Sequence, residues 1–363
     1  MPDWKTAQNL LCIRLDTIGD VIMTTPAIRS LKQSVPNRRV TLMTSSAGAA
    51  IAPQIPELDD LIIYDSPWLK ATAPRANSQP EFEMIDRLRQ SNFDAAIIFT
   101  VYSQNPLPSA FLCYMANIPL RLAHCHENPY QLLTDWIKDP EPEQFTRHEV
   151  QRQLDLVASI GAEAIDPQMR LTVPPPAKQQ VLELLDREIQ IDRPWLVIHP
   201  GATAPSRRYP PEYFATVARM LVQQGIQVIF TGTGSEKELV EFIQAEMKVN
   251  SVSLVDRLNL AQLSALLQLA PLLISNNTGP VHIAAAVETP VVDLYALTNP
   301  QHTPWGVPNR VLFHDVPCRI CYKSICPEGH HHCLRLVTPE SVVEAAIDLL
   351  NETQPAISLV AHS

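Results

Sequence analysis

The feature that most limits what this chain can fold into is an alternation. Short apolar runs, each closed by a polar or glycine-bearing turn, hand over repeatedly to longer stretches of helical periodicity. The first half carries such runs at LLCIRL (10–15), RVTLMT (39–44), LIIY (61–64) and AAIIFT (95–100), with helical stretches such as EFEMIDRLRQ (81–90) and HEVQRQLDLVASIG (148–161) between and after them. Runs that are apolar throughout suit strands of a parallel sheet covered on both faces. A proline-rich break, VPPPAKQQ (173–180), follows. The pattern then starts again with WLVIHP (195–200), QVIFTG (227–232), PLLISN (271–276) and PVVDLY (290–295), interleaved with helices ending in PESVVEAAIDLLN (339–351). The fold class expected is therefore α/β, two doubly wound Rossmann-like domains with a cleft between them. The domains are placed at residues 1–175 and 190–352, with the connection at about 173–192.

Bulk composition narrows the function. A length of 363 residues with 46% hydrophobic content can fill two cores. A net charge of −10 argues against a broad grip on nucleic acid, while leaving room for a local basic pocket that holds a small anion. MPDWKTAQNL lacks the apolar core of a signal peptide, and no apolar run reaches the ~20 residues of a membrane span. A soluble, cytoplasmic protein with no transmembrane segment is expected.

With 33 prolines and only 10 glycines, each glycine position is informative. Five of them, Gly19, Gly201, Gly232, Gly234 and Gly279, fall where an apolar run meets a helical stretch. Such junctions line the ligand crevice of doubly wound sheets and present free helix N–H groups to anions. Tight βα turns also use glycine without any ligand, so it is the set of five that points to phosphate. HPGATAPSRRYPPEYF (199–214) adds Arg207-Arg208, whose guanidinium groups suit a diphosphate. Thr231, Gly232 and Glu236 of TGTGSEKE could cradle a nucleoside. SNNTGPVH (275–282) brings Asn277, Thr278 and Gly279 to a helix start, with His282 either close by or satisfied in the core. Neither G-x-G-x-x-G nor GxxxxGK[ST] is present, which weakens dinucleotide dehydrogenase and Walker-type ATPase readings.

The segments GDVIMTTPAIRSLK (19–32), HEVQRQLDLVASIGAE (148–163), HPGATAPSRRYPPEYF and SNNTGPVHIAAAVETPVVDLYALTNP (275–300) together resemble glycosyltransferase family 9, the ADP-heptose:lipopolysaccharide heptosyltransferase family. The resemblance runs over nearly the whole chain. It implies a GT-B fold with the acceptor on the N-terminal domain and the nucleotide-sugar on the C-terminal one. It also implies inverting transfer without a catalytic metal. The family's catalytic base falls on Asp20, with Gly19 letting the chain turn before it and Asp16 available on the acceptor side. The family's phosphate-loop lysine falls on Arg207, and its common Asp falls on Asn277. Arg207, Thr278 and Gly279 are assigned to the donor phosphates, Thr231, Gly232 and Glu236 to the nucleoside, and Asn277 and His282 to the donor sugar or diphosphate.

The partners expected are a nucleoside-diphosphate sugar, ADP-heptose first, and a glycan or lipid-linked acceptor such as a lipopolysaccharide core, met at the inner face of the cytoplasmic membrane. A non-catalytic nucleotide-sugar-binding scaffold and a GT-B nucleotide-sugar epimerase are the alternatives. The 7 cysteines divide into three in apolar surroundings, Cys12, Cys113 and Cys125, and a cluster of four, Cys318, Cys321, Cys326 and Cys333. The cluster suits a structural zinc or iron site, or reduced thiols that order a loop.

Overall fold

A computed structural model describes residues 3–69 and 72–353. The chain divides into two compact units, Met1–Arg170 and Leu171–Ser363. The tail after residue 353 lies outside the described residues.

The first unit holds six strands, β1 (Asn9–Ile13), β2 (Arg39–Thr44), β3 (Asp60–Ile63), β4 (Ala95–Ile98), β5 (Leu120–Cys125) and β6 (Asp135–Lys138), in the order β3-β2-β1-β4-β5-β6. The second holds β7 (Trp195–His199), β8 (Gln227–Phe230), β9 (Val252–Ser253), β10 (Leu273–Asn276), β11 (Val291–Leu294) and β12 (Asn309–Leu312), in the order β12-β11-β10-β7-β8-β9. Counted within each unit, both sheets read 3-2-1-4-5-6, and every pairing is parallel. That order reverses between the first and fourth strands, which is where doubly wound sheets open a crevice at their carboxyl ends.

The central strands are apolar because helices cover both faces. All residues of β4, β7, β10 and β11 are buried. Leu11, Ile13, Met43 and Ile98 share one core in the first unit. Leu196, Ile198, Phe230, Ile274 and Val292 share one in the second.

Helix Ile18–Ser34 leaves β1 at once and runs through Pro26. A proline inside a helix removes one N–H and frees the carbonyl four residues earlier. Here that carbonyl belongs to Ile22, and Thr25 Oγ1 donates to it at 2.7 Å. Pro26 is thus carried inside the helix without ending it. Gly19 is not the turn residue that the sequence suggested: it is the buried second residue of this helix. Helix Pro175–Glu188, which covers most of the stretch expected as the connection, packs on helix Leu260–Leu269 in the second unit. Among the described residues no helix is long and apolar enough to cross a membrane.

Candidate functional site

In the first unit the carboxyl end of β1 delivers a buried cation among carboxylates. Arg14 is fully buried. Its Nε lies 2.9 Å from Asp16 Oδ2, its Nη2 3.1 Å from Asp20 Oδ1 and its Nη1 2.8 Å from Glu149 Oε1. Burial pulls the Arg14 pKa down, but the three carboxylates outweigh it and the net shift is upward. The same burial raises the carboxyl pKa of Asp16 and of Glu149, against the pull of Arg14.

Asp20 is the third residue of helix Ile18–Ser34, and its Oδ2 accepts from the Thr17 backbone N–H at 3.2 Å and from Thr17 Oγ1 at 2.9 Å. Cap and ion pair fix its rotamer, and 19% of its side chain stays exposed. Asp16 points to a different place. Its Oδ1 accepts from Gln104 Nε2 at 2.6 Å, and both residues line a cavity of about 370 Å³ with Trp68, Phe99, Ser103 and Asn105. Arg14, Gln104 and Glu149 are the partners that sequence reasoning missed. Glu149 lies inside the HEVQRQLDLVASIGAE segment, so a signal existed for it; none existed for Gln104.

The residues expected on the donor side fall into two groups in the second unit. One gathers at the ends of β7 and β8. A Cβ built on Gly201 would stand 1.7 Å from Glu236 Oε1, so any side chain there would push this carboxylate out of its present position. Glu236 Oε2 accepts from the Thr233 backbone N–H at 2.7 Å and lies 4.0 Å from His199 Nε2. His199 Nδ1 meets Thr231 Oγ1 at 3.0 Å, and burial lowers the His199 pKa, so the ring is neutral at pH 7. Gly232 packs beneath Glu236, with 3.2 Å from its built Cβ to Oε2. Gly201, Arg208 and Glu236 line a cavity of about 310 Å³, joined by Ser235, His331 and Arg335.

The other group sits at the ends of β10 and β11. Asn277 is buried, and its Nδ2 donates to Asp293 Oδ2 at 2.8 Å and to the His302 carbonyl at 2.7 Å. Both amide hydrogens are thereby used, which leaves Asn277 its carbonyl oxygen for a ligand. Asp293 is wholly buried, and burial pushes its pKa up to about 8 against the hydrogen bond from Asn277 and the charge of Arg207. Arg207 is half-buried in the 3₁₀ turn Pro205–Arg207. Its neighbour Arg208 turns elsewhere, donating from Nε to the Ala202 carbonyl at 2.7 Å. Thr278 caps helix Gly279–Ala286, with Gly279 opening it. His282 is buried in that helix, its ring perpendicular to that of His302 with centroids 6.5 Å apart. Neither Arg207, Thr278 nor Gly279 lines the cavity that holds Gly201 and Glu236.

Cys12, Cys113 and Cys125 are buried free thiols, as expected. The other four cysteines converge on a cavity of about 20 Å³, where Cys318 Sγ is 3.8 Å from His330 Nε2. Among the described residues no three His, Cys, Asp or Glu side chains stand grouped to hold a metal ion. Thiolate sulfur is the donor type that zinc and iron take, but the four cysteines are not drawn together here as a ligand set.

The sequence model of "Glycosyltransferase family 9 (heptosyltransferase)" matches residues 82–332. The chain is 27% identical over 359 residues to lipooligosaccharide heptosyltransferase 2 of Haemophilus influenzae, covering 94% of this chain and 99% of that one. In structure it is similar to a glycosyl transferase family 9 protein of Veillonella parvula, with a TM-score of 0.79, 22% identity and coverage of 96% and 98%. It is likewise similar to the ADP-heptose lps heptosyltransferase II of E. coli, with a TM-score of 0.74, 24% identity and coverage of 95% and 99%.

Proposed function

The chain belongs to glycosyltransferase family 9, and from that premise we propose that it moves heptose from ADP-heptose to a lipopolysaccharide-core acceptor, with inversion and without a catalytic metal. The curated relative is a lipooligosaccharide heptosyltransferase matched over almost its full length, which supports heptose transfer over both the scaffold and the epimerase alternatives. The observation that carries the chemistry is Asp20, a partly exposed carboxylate fixed by Thr17 and Arg14.

Asp20 takes the proton of the acceptor hydroxyl as that oxygen bonds to the sugar C1. The bond from C1 to the diphosphate oxygen breaks on the opposite side, and the nucleoside diphosphate leaves with the electron pair. Arg207 and the N–H groups at the start of helix Gly279–Ala286 offset the charge that develops on the leaving group. In this reading Glu236 accepts from ribose hydroxyls, and Asp16 with Gln104 orients acceptor hydroxyls. Zinc or iron on Cys318, Cys321, Cys326 and Cys333 would order the loop and take no part in the transfer. The protein is proposed to act in the cytoplasm, at the inner face of the membrane.

The test is direct. The purified protein with ADP-heptose and a heptose-deficient lipopolysaccharide core should release ADP and add one heptose mass to the acceptor. Binding of ADP-heptose with no acceptor product on any core truncation would favour the scaffold. Conversion of the donor sugar with no acceptor present would favour the epimerase.

A further inference from the structure

The cysteine-rich segment at residues 318–335 is tied to the donor side of the second unit at several points. Ser206, in the same 3₁₀ turn as Arg207, is 4% exposed. Its backbone N–H donates to the Ser324 carbonyl at 3.0 Å and its Oγ donates to the Lys323 carbonyl at 2.6 Å. One residue thus clasps two consecutive carbonyls of the loop. On the loop's other flank, Ile320 N–H donates to the Leu297 carbonyl at 2.6 Å and Tyr322 N–H to the Thr298 carbonyl at 2.8 Å. Ile320 and Tyr322 have φ of +60° and +52°, a region costly for a β-branched or aromatic residue unless its surroundings impose it. The loop then returns to the nucleotide side, where His331 and Arg335 stand in the wall of the 310 Å³ cavity with Arg208 and Glu236. Arg335 Nη1 is 3.9 Å from Glu212 Oε1, a distance too long for a hydrogen bond.

We propose that residues 318–335 form a working wall of the nucleotide pocket: Ser206 locks the loop to the Arg207 turn, and Arg335 supplies a cation to the part of the nucleoside diphosphate that lies in the cavity of Gly201 and Glu236. This rests on the glycosyltransferase reading. A loop that merely decorated the surface would not need a buried serine spending both donors on it, nor would it face a cavity with a guanidinium. Because Ser206 and Arg207 are adjacent, whatever loosens the loop loosens the phosphate contact. By reciprocity, phosphate binding must tighten the loop.

Two measurements on the full chain test this, with ADP as the probe. Hydrogen exchange of peptides spanning 318–335 should slow by about fivefold or more at saturating ADP. Arg335→Ala alters an exposed residue and should weaken ADP by about tenfold, the usual loss for a charge-assisted contact. Ser206→Ala should weaken ADP and also reduce the exchange protection. Since Ser206→Ala could disturb folding, the wild-type exchange and the ADP affinity of Arg335→Ala are the deciding measurements. ADP binding that leaves exchange in 318–335 unchanged, with Arg335→Ala binding as tightly as wild type, overturns the inference and leaves the transferase reading standing. Failure of the wild type to bind any nucleoside diphosphate overturns both.

Discussion

Asp293 has no ionised partner within hydrogen-bonding distance among the described residues, and it lies wholly inside the second unit. Its ordinary carboxyl value is 3.8, and burial raises this to about 8. Between those two values the folded protein holds a proton that the unfolded chain releases. Stability must therefore fall as pH rises through the window and level off above about 8. Asp293→Asn keeps an oxygen for Asn277 Nδ2 and does not titrate. Melting curves from pH 5 to 9 should show the variant gaining on wild type as pH rises, and a gap independent of pH would refute the assignment. At the same scale, Asp20→Asn should leave ADP-heptose affinity intact and lower turnover by about 10²-fold or more. Asp16→Asn should cost less, mainly in acceptor KM. Turnover lost with Asp16→Asn and kept with Asp20→Asn would move the base to Asp16. Both carboxylates stood out in the sequence because they flank a strand-to-helix junction. Asp293 did not, since a single acid inside PVVDLY reads as strand until its depth is known. The segment that carries Glu149 stood out, but its pairing with Arg14 did not, because the two are 135 residues apart in the chain.

Helix Ile18–Ser34 couples a cap to the carboxylate proposed as the base. Thr17→Ala removes the hydroxyl that reaches Asp20 and should cost about 1 kcal/mol in urea unfolding. It should also lower kcat more than donor KM, because the carboxylate loses one of its restraints. A variant with the expected stability loss and unchanged kcat would show that the cap has no share in catalysis. The cysteines are a second matter at this scale. Burial raises the thiol pKa of Cys12 and Cys113 to about 12, and that of Cys125 also rises, so these three should resist labelling in the native state. With chelator present, Cys318, Cys321 and Cys326 should titrate ahead of Cys333, whose thiol pKa burial raises, and turnover should persist. Rapid loss of activity in EDTA that Mg²⁺ alone restores would contradict metal-independent transfer. Most strands that sequence pattern found are buried along their length, and β3, where only Ile62 is buried, is the exception. β5 and β6 were missed because charge interrupts them: Arg121 sits inside β5, its Nε donating to the Leu132 carbonyl at 2.7 Å and its Nη2 to the Gln131 carbonyl at 2.8 Å. A buried guanidinium satisfied by backbone cannot be told from a solvated one by periodicity.

The whole molecule is two sheets of one strand order, cut between Arg170 and Leu171. Two domains were legible from the repeated alternation and the proline-rich break. The joint itself was not, because helix Pro175–Glu188 begins with those prolines and packs within the second unit. That joint makes the chain a natural place for recombination. Each half closes its own core, so a gene spliced at this codon exchanges one complete sheet for another without cutting a strand pair. Hybrids that join residues 1–170 to the matching second half of a family relative with a different nucleotide preference should fold. Their nucleotide preference should come from the parent of the second half, and their choice of core acceptor from the parent of the first. Thermal-shift panels and acceptor assays on a reciprocal pair of hybrids would check this. In evolutionary terms, lineages of this kind could change the sugar they add and the glycan they extend on separate schedules.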